Sequence, residues 1–84
     1  MDWDKLRVFH AVAEAGSFTR AGDLLHLSQS AVSRQIRALE DQLGLKLFHR
    51  KNRTIFLTEA GATYARDIHQ ALMRIQSASL SVTT

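Results

Sequence analysis

The stretch from Ser17 to Gly44 leaves almost no chain between two amphipathic helices, and that shortage constrains the fold more than any other feature. Ser17 is suited to cap a helix running from Phe18 to about His26, with Ala21, Leu24 and Leu25 facing inward. His26-Leu27 make a short turn, Ser28 caps a second helix from Gln29 to about Leu43, and Gly44 stops it. In this second helix Val32, Ile36, Leu39 and Leu43 recur at spacings of four, three and four, a single apolar stripe. A connection this tight forces the pair to cross at a steep angle, the arrangement of a helix-turn-helix. Gly22 costs about 1 kcal/mol relative to alanine inside a helix, which implies that another helix approaches closely there.

The flanking segments complete a small domain. Residues 4–15 form an earlier helix with Leu6, Phe9 and Ala13 on one stripe and Val8 and Val12 widening it, and Gly16 ends it. After Gly44 the period changes. Residues 46–49 and 54–57 are short runs of β-favouring residues around a polar turn, Arg50-Lys51-Asn52-Arg53, giving a two-stranded hairpin with a basic tip that must pack on the helices to persist. Thr58 caps a long helix reaching about Ser79 or beyond, with Tyr64, Ile68, Ala71, Ile75, Ala78 and Val82 in a heptad seam. Such a helix spans roughly 35–40 Å, more than a small helical head can cover. Residues 80–84 are poor helix formers and are expected to fray.

With 84 residues the chain makes one small domain. It contains no cysteine, which excludes disulfides and thiolate metal sites and suits the cytoplasm, and no proline, which favours unbroken helices. No segment reaches the roughly 20 apolar residues of a membrane span, and the acidic, then amphipathic N-terminus does not read as a signal peptide. The formal charge of Lys, Arg, Asp and Glu is −1 over residues 1–16, +4 over residues 17–57 and 0 over residues 58–84. A basic middle with a cluster at Arg50, Lys51 and Arg53 is the footprint of a polyanion binder.

The second helix of the pair is the one that a helix-turn-helix offers to a major groove, N-terminal end leading. At 100° per residue Ser30, Ser33, Arg34 and Arg37 fall opposite the apolar stripe, within about 100° of one another, and Gln29 lies at the tip. Glutamine pairs bidentately with adenine, arginine with guanine, and serine with donors or acceptors. Short side chains at 30, 31 and 33 let the backbone sink deep, while Glu40 and Asp41 lie where the helix leaves the phosphates. Ser17, Thr19 and Ser28, at helix starts, suit phosphate oxygens. Arg53 or Arg50 suits a narrow minor groove.

Catalysis finds little support. His10, His26, His49 and His69 are scattered, with no pair at a metal-ligand spacing, and no glycine-rich phosphate loop exists. The sequence therefore implies no enzyme, no metal and no cofactor. A protein-interaction module built on the long helix is the alternative, and it leaves the basic hairpin unexplained.

The residues Phe18, Thr19, Ala21, Gly22, Leu27 to Ser33, Gln35, Ile36, Leu39, Glu40, Leu43, Gly44, Leu47, Phe48 and Arg50, followed by Leu57, Thr58, Ala60 and Gly61, closely resemble the N-terminal DNA-binding domain of LysR-type transcriptional regulators. Members of that family often carry alanine at the position of Gly22. The resemblance implies a mainly α fold: a winged helix-turn-helix of three helices and a two-stranded wing over residues 1–57, then a dimerising linker helix over residues 58–84. It implies base reading by Gln29, Ser30, Ser33 and Arg34, and backbone contacts by Ser17, Thr19, Ser28, Arg37, Arg50 and Lys51. Arg53 would probe the minor groove, and Tyr64, Ile68, Ala71 and Ile75 would form the dimer seam. The implied partners are double-stranded DNA with a partly palindromic site and a second copy of the chain, with the full-length protein a dimer or a tetramer. The implied setting is the bacterial nucleoid, in the cytoplasm and away from membrane. The family's C-terminal effector-binding domain lies outside this sequence, and a small-molecule effector would act only through it.

Overall fold

The computed structural model describes residues 2–83. Asp2 opens the first helix, α1 (Trp3–Ala15), by accepting the Asp4 N–H at 2.9 Å. The Lys5 ammonium donates to the Asp2 carboxylate at 2.6 Å and holds its carboxyl below the usual carboxylate range. After Gly16 the chain forms α2 (Phe18–Leu25) and α3 (Gln29–Leu43). Ser17 accepts the Arg20 N–H at 3.2 Å and Ser28 the Ala31 N–H at 3.1 Å, the two N-caps that the sequence calls for. Three helices plus a two-stranded wing and a long fourth helix make a winged helix-turn-helix, the expected mainly α architecture.

The core is a single cluster. Phe9, Val12, Val32 and Leu47 are fully enclosed, joined by Leu6, Val8, Phe18, Ala21, Ile36, Leu39 and Phe48. Each such large side chain contributes about 1.5–3 kcal/mol on burial. An aromatic row crosses it: Phe18 against Phe48 (5.9 Å between ring centroids), Phe48 against Phe9 (5.5 Å), and Phe9 against Tyr64 (5.3 Å). Burial pushes the Tyr64 hydroxyl pKa up.

Two inward assignments fail. Leu24 is 68% exposed, because α2 buries the narrower stripe Phe18, Ala21 and Gly22, with Leu25 partly covered, and Leu24 lies to one side of it. Leu43 is 40% exposed, because the last turn of α3 runs past α1 and α2; Leu43 instead lines a groove with Leu45, Leu47 and Tyr64. The close approach at Gly22 is real but has another source. His26 turns through the left-handed region (φ 59°) and the Leu27 N–H returns to the Gly22 carbonyl at 2.8 Å. A Cβ at Gly22 would sit 2.6 Å from the Leu27 carbonyl oxygen, so the turn's own backbone fills the space, with Val32 of α3 behind it at 3.6 Å.

The wing begins two residues later than its sequence suggests. β1 spans Phe48–Lys51 and β2 spans Thr54–Leu57, antiparallel, with Phe48 opposite Leu57 and Lys51 opposite Thr54. Arg50 and Lys51 therefore belong to the strand, and only Asn52 and Arg53 form the tip. Both have positive φ (53° and 66°), the two-residue hairpin turn whose twist matches the strands. The shift follows from Glu40, which faces inward on α3. Its Oε2 accepts the N–H groups of Leu47 (2.8 Å) and Phe48 (3.3 Å), consuming donors at the positions assigned to the first strand.

Thr58 closes the head. It donates to the Lys46 carbonyl at 2.7 Å and accepts the Gly61 N–H at 2.9 Å, starting α4 (Glu59–Thr83). Gly61 lies against Leu47 so closely that a Cβ would fall 2.0 Å from its carbonyl oxygen. Tyr64, Ala65 and Ile68 then pack on the core. The expected fraying from residue 80 is not seen: the helix continues to Thr83, with the hydroxyls of Ser79 and Thr83 bonded back to the carbonyls of Ile75 and Leu80 at 3.1 Å. Thr84 lies outside the described residues.

Two consequences are measurable by urea unfolding. Glu40→Ala strands two buried N–H groups and should lower stability by about 1–3 kcal/mol; an unchanged midpoint would mean that water replaces the carboxylate. Arg53→Gly removes a side chain from the left-handed region and should raise stability by about 1 kcal/mol. A loss there would show that the arginine side chain holds the wing.

Candidate nucleic-acid interface

The tight turn after α2 sets α3 with its N-terminal end projecting and its inner stripe (Val32, Ile36, Leu39) fixed in the core. Gln29, Ser30, Arg34 and Arg37 are exposed and Ser33 is half-buried. The serine at 28, besides capping, lies 3.3 Å from the Ser30 hydroxyl. The start of α3 thus presents free N–H groups, the positive end of the helix dipole and small hydroxyls together, an arrangement that favours anions.

Three segments far apart in sequence meet beside it. A shallow hollow is lined by Ser17, Phe18 and Thr19 from the start of α2, by Gln29 from the tip of α3, and by Arg50, Arg53 and Ile55 from the wing. Arg50 crosses this hollow. Its guanidinium carbon lies 4.7 Å from the centre of the Phe18 ring and its Nη2 donates to the Ser33 hydroxyl at 3.2 Å. The arginine thereby ties the wing to α2 and α3, at a height set by a cation–π contact worth about 0.5–1 kcal/mol at an exposed site. Arg53 stands at the tip of the hairpin, and Lys51 is exposed at the end of β1. Arg34 lies further round α3, beside a second depression lined by Lys5, Ala31, Gln35 and Ala38. The structure therefore brings Ser17, Thr19, Gln29, Arg50 and Arg53 together, links Ser33 to them through Arg50, and leaves Arg34 and Arg37 on the outer side of α3.

The four seam residues divide into two pairs. Tyr64 and Ile68 are half-buried against the core of their own chain, whereas Ala71 and Ile75 are exposed on the projecting half of α4. Ile75 is 50% exposed; Met73, 44% exposed, lies two residues away on the opposite side of the helix.

Two residues have structural parts in the interface that the sequence does not predict. Glu40 lies at the departing end of the helix, as expected, but turns inward and fixes the wing; its spacing of four from Ile36 is the signal that it faces inward. Phe18, the first residue of its helix, is also the shelf for Arg50, and no local period joins residues so far apart.

The chain is similar to known proteins over most of its length. The family model of bacterial regulatory helix-turn-helix proteins of the lysR family matches residues 3–62. The glycine cleavage system transcriptional activator of Escherichia coli K12 is 51% identical over 74 residues, 88% of this chain and 24% of the relative. The RuBisCO operon transcriptional regulator of Allochromatium vinosum is 52% identical over 75 residues, 86% of this chain and 25% of the relative. The chain thus spans about a quarter of the length of these two relatives. Among solved structures, the BenM DBD in complex with benA site 1 DNA superposes with a TM-score of 0.88 at 36% identity, covering 99% of this chain and 92% of that one. The CbnR DBD–DNA complex superposes with a TM-score of 0.82 at 38% identity, covering both chains fully. These relatives are regulators of transcription rather than enzymes. A tight α2–α3 turn, a basic two-stranded wing tied to α3 and a long fourth helix, matched over residues 3–62 by one family model, make this chain a member of the LysR family of bacterial regulatory helix-turn-helix proteins.

Proposed function

We propose that this chain binds double-stranded DNA sequence-specifically as a homodimer and regulates bacterial transcription, as activator or repressor. The observation that carries the reading is the convergence of the α3 tip, the start of α2 and the wing on one basic face. The relatives solved with DNA support the same reading. In it α3 enters the major groove, where Gln29, Ser30, Ser33 and Arg34 meet base edges. Ser17, Thr19, Ser28, Arg37, Arg50 and Lys51 hold phosphates, and Arg53 reaches the minor groove. Arg50 does so while braced on Phe18 and Ser33, so it positions the wing as well as attracting the backbone.

In the same reading residues 1–57 are the head and residues 58–84 the arm. Pairing of two arms through the exposed part of the seam, Ala71 and Ile75, sets two heads on one face of a partly palindromic site, about one helical turn apart. No helix among the described residues is long and apolar enough to cross a membrane, which agrees with a place on the nucleoid. A small-molecule effector and assembly into tetramers belong to the further length that the relatives possess.

Selection from a random duplex pool at fixed salt should return one motif with dyad symmetry. Recovery of no motif, with salt-sensitive binding to all sequences, would overturn base reading. On the recovered site Arg34→Ala should cost about 1–3 kcal/mol and relax preference at one base pair. An unchanged preference among site variants would reduce Arg34 to a backbone contact. Ile75→Glu should turn dimers into monomers in sedimentation while leaving the head folded, since the residue is exposed; dimers that survive would sink the seam. Ile68 is a poorer probe because it also serves its own core.

A further inference from the structure

We propose that His10, Glu14 and His69 form a zinc site that staples α1 to α4. The two histidines are 59 positions apart in sequence, and the fold stacks their rings with centroids 5.7 Å apart. His10 and Glu14 stand one turn apart on α1, and His69 reaches them from α4. The three ligand atoms form a nearly equilateral triangle. His10 Nε2 lies 3.4 Å from His69 Nδ1 and 3.3 Å from Glu14 Oε1, and His69 Nδ1 lies 3.2 Å from the same carboxylate oxygen.

That triangle is one face of a zinc tetrahedron. Ligands bound about 2.0–2.1 Å from the metal at tetrahedral angles stand roughly 3.3 Å from one another. Two imidazoles and one carboxylate match zinc, whereas magnesium and calcium call for oxygen ligands throughout. The side chains of Glu14 and His69 are about half exposed (57% and 49%) and that of His10 is 25% exposed, so water has access to the fourth position. The site lies on the surface where α4 leaves the head, so bound metal would fix the angle between them. It does not depend on the DNA reading.

Zinc chloride titrated against the untagged chain, in competition with a chromophoric chelator, should show one zinc per chain. His10→Gln and His69→Gln should each weaken binding at least about tenfold with unchanged helical circular dichroism. His49→Gln, on the wing, should bind as the parent does. Zinc should also raise the melting temperature of the parent and not of His69→Gln. Absence of zinc binding, equal binding by parent and His69→Gln, or half a zinc per chain from a site bridging two copies would each overturn the proposal.

Discussion

The Glu40 carboxylate holds the two functional parts of the head in register. It is the one buried charged side chain among the described residues, and it stands at the junction where α3 ends and the wing begins. By accepting the Leu47 and Phe48 N–H groups it satisfies backbone donors that a short strand would otherwise leave stranded in the core. Lys46, 3.9 Å away and solvent-exposed, adds only a weak pairing, so the hydrogen bonds do the orienting. Leu47 then fills the core, its carbonyl accepts the Thr58 N–H at 3.0 Å, and Gly61 closes over it. One carboxylate thereby links the direction of α3 to the start of the wing and, through Leu47, to the start of α4.

On the other side of the wing the coupling is aromatic and cationic. The row Tyr64, Phe9, Phe48, Phe18 carries packing from α4 through α1 and β1 to α2, and Arg50 lies over its end. The hydrogen bond from Arg50 to Ser33 completes a loop from wing to α3. A hairpin of two four-residue strands is marginal alone, and here it is gripped at two points: by Glu40 at its base and by Arg50 midway. The Lys51–Thr54 pair and the Asn52-Arg53 tip extend beyond these grips. An arginine held at positive φ costs about 1–2 kcal/mol that a glycine would not. Such a departure from local preference belongs at functional positions, which fits an arginine retained for its reach.

α4 serves two purposes that its heptad spacing blends into one. Its first turns complete the core through Gly61, Tyr64, Ala65 and Ile68, and its remaining turns carry the same apolar spacing out into solvent. A continuous seam in sequence thus becomes an intramolecular contact followed by an exposed surface, because the head is only wide enough to cover the first part.

Local signals in the sequence determined the helices, their caps at Ser17, Ser28 and Thr58, the tight turn, and which face of α3 turns outward. These depend on residues within one or two turns of each other, and the physics of capping and of the 3.6-residue period acts at that range. The sequence also carried the family pattern. Tertiary structure alone decided the rest. It moved the first strand to Phe48, because a carboxylate seven residues upstream claims the N–H of Leu47. It left Leu24 on the flank of α2 and Leu43 on the wall of an open groove, because neither faces the enclosed core. It explained Gly22 by the turn's own carbonyl, laid Arg50 on Phe18, and brought His69 to His10 and Glu14. Each of these is a contact between residues whose proximity no local period encodes; it exists only once the helices have packed.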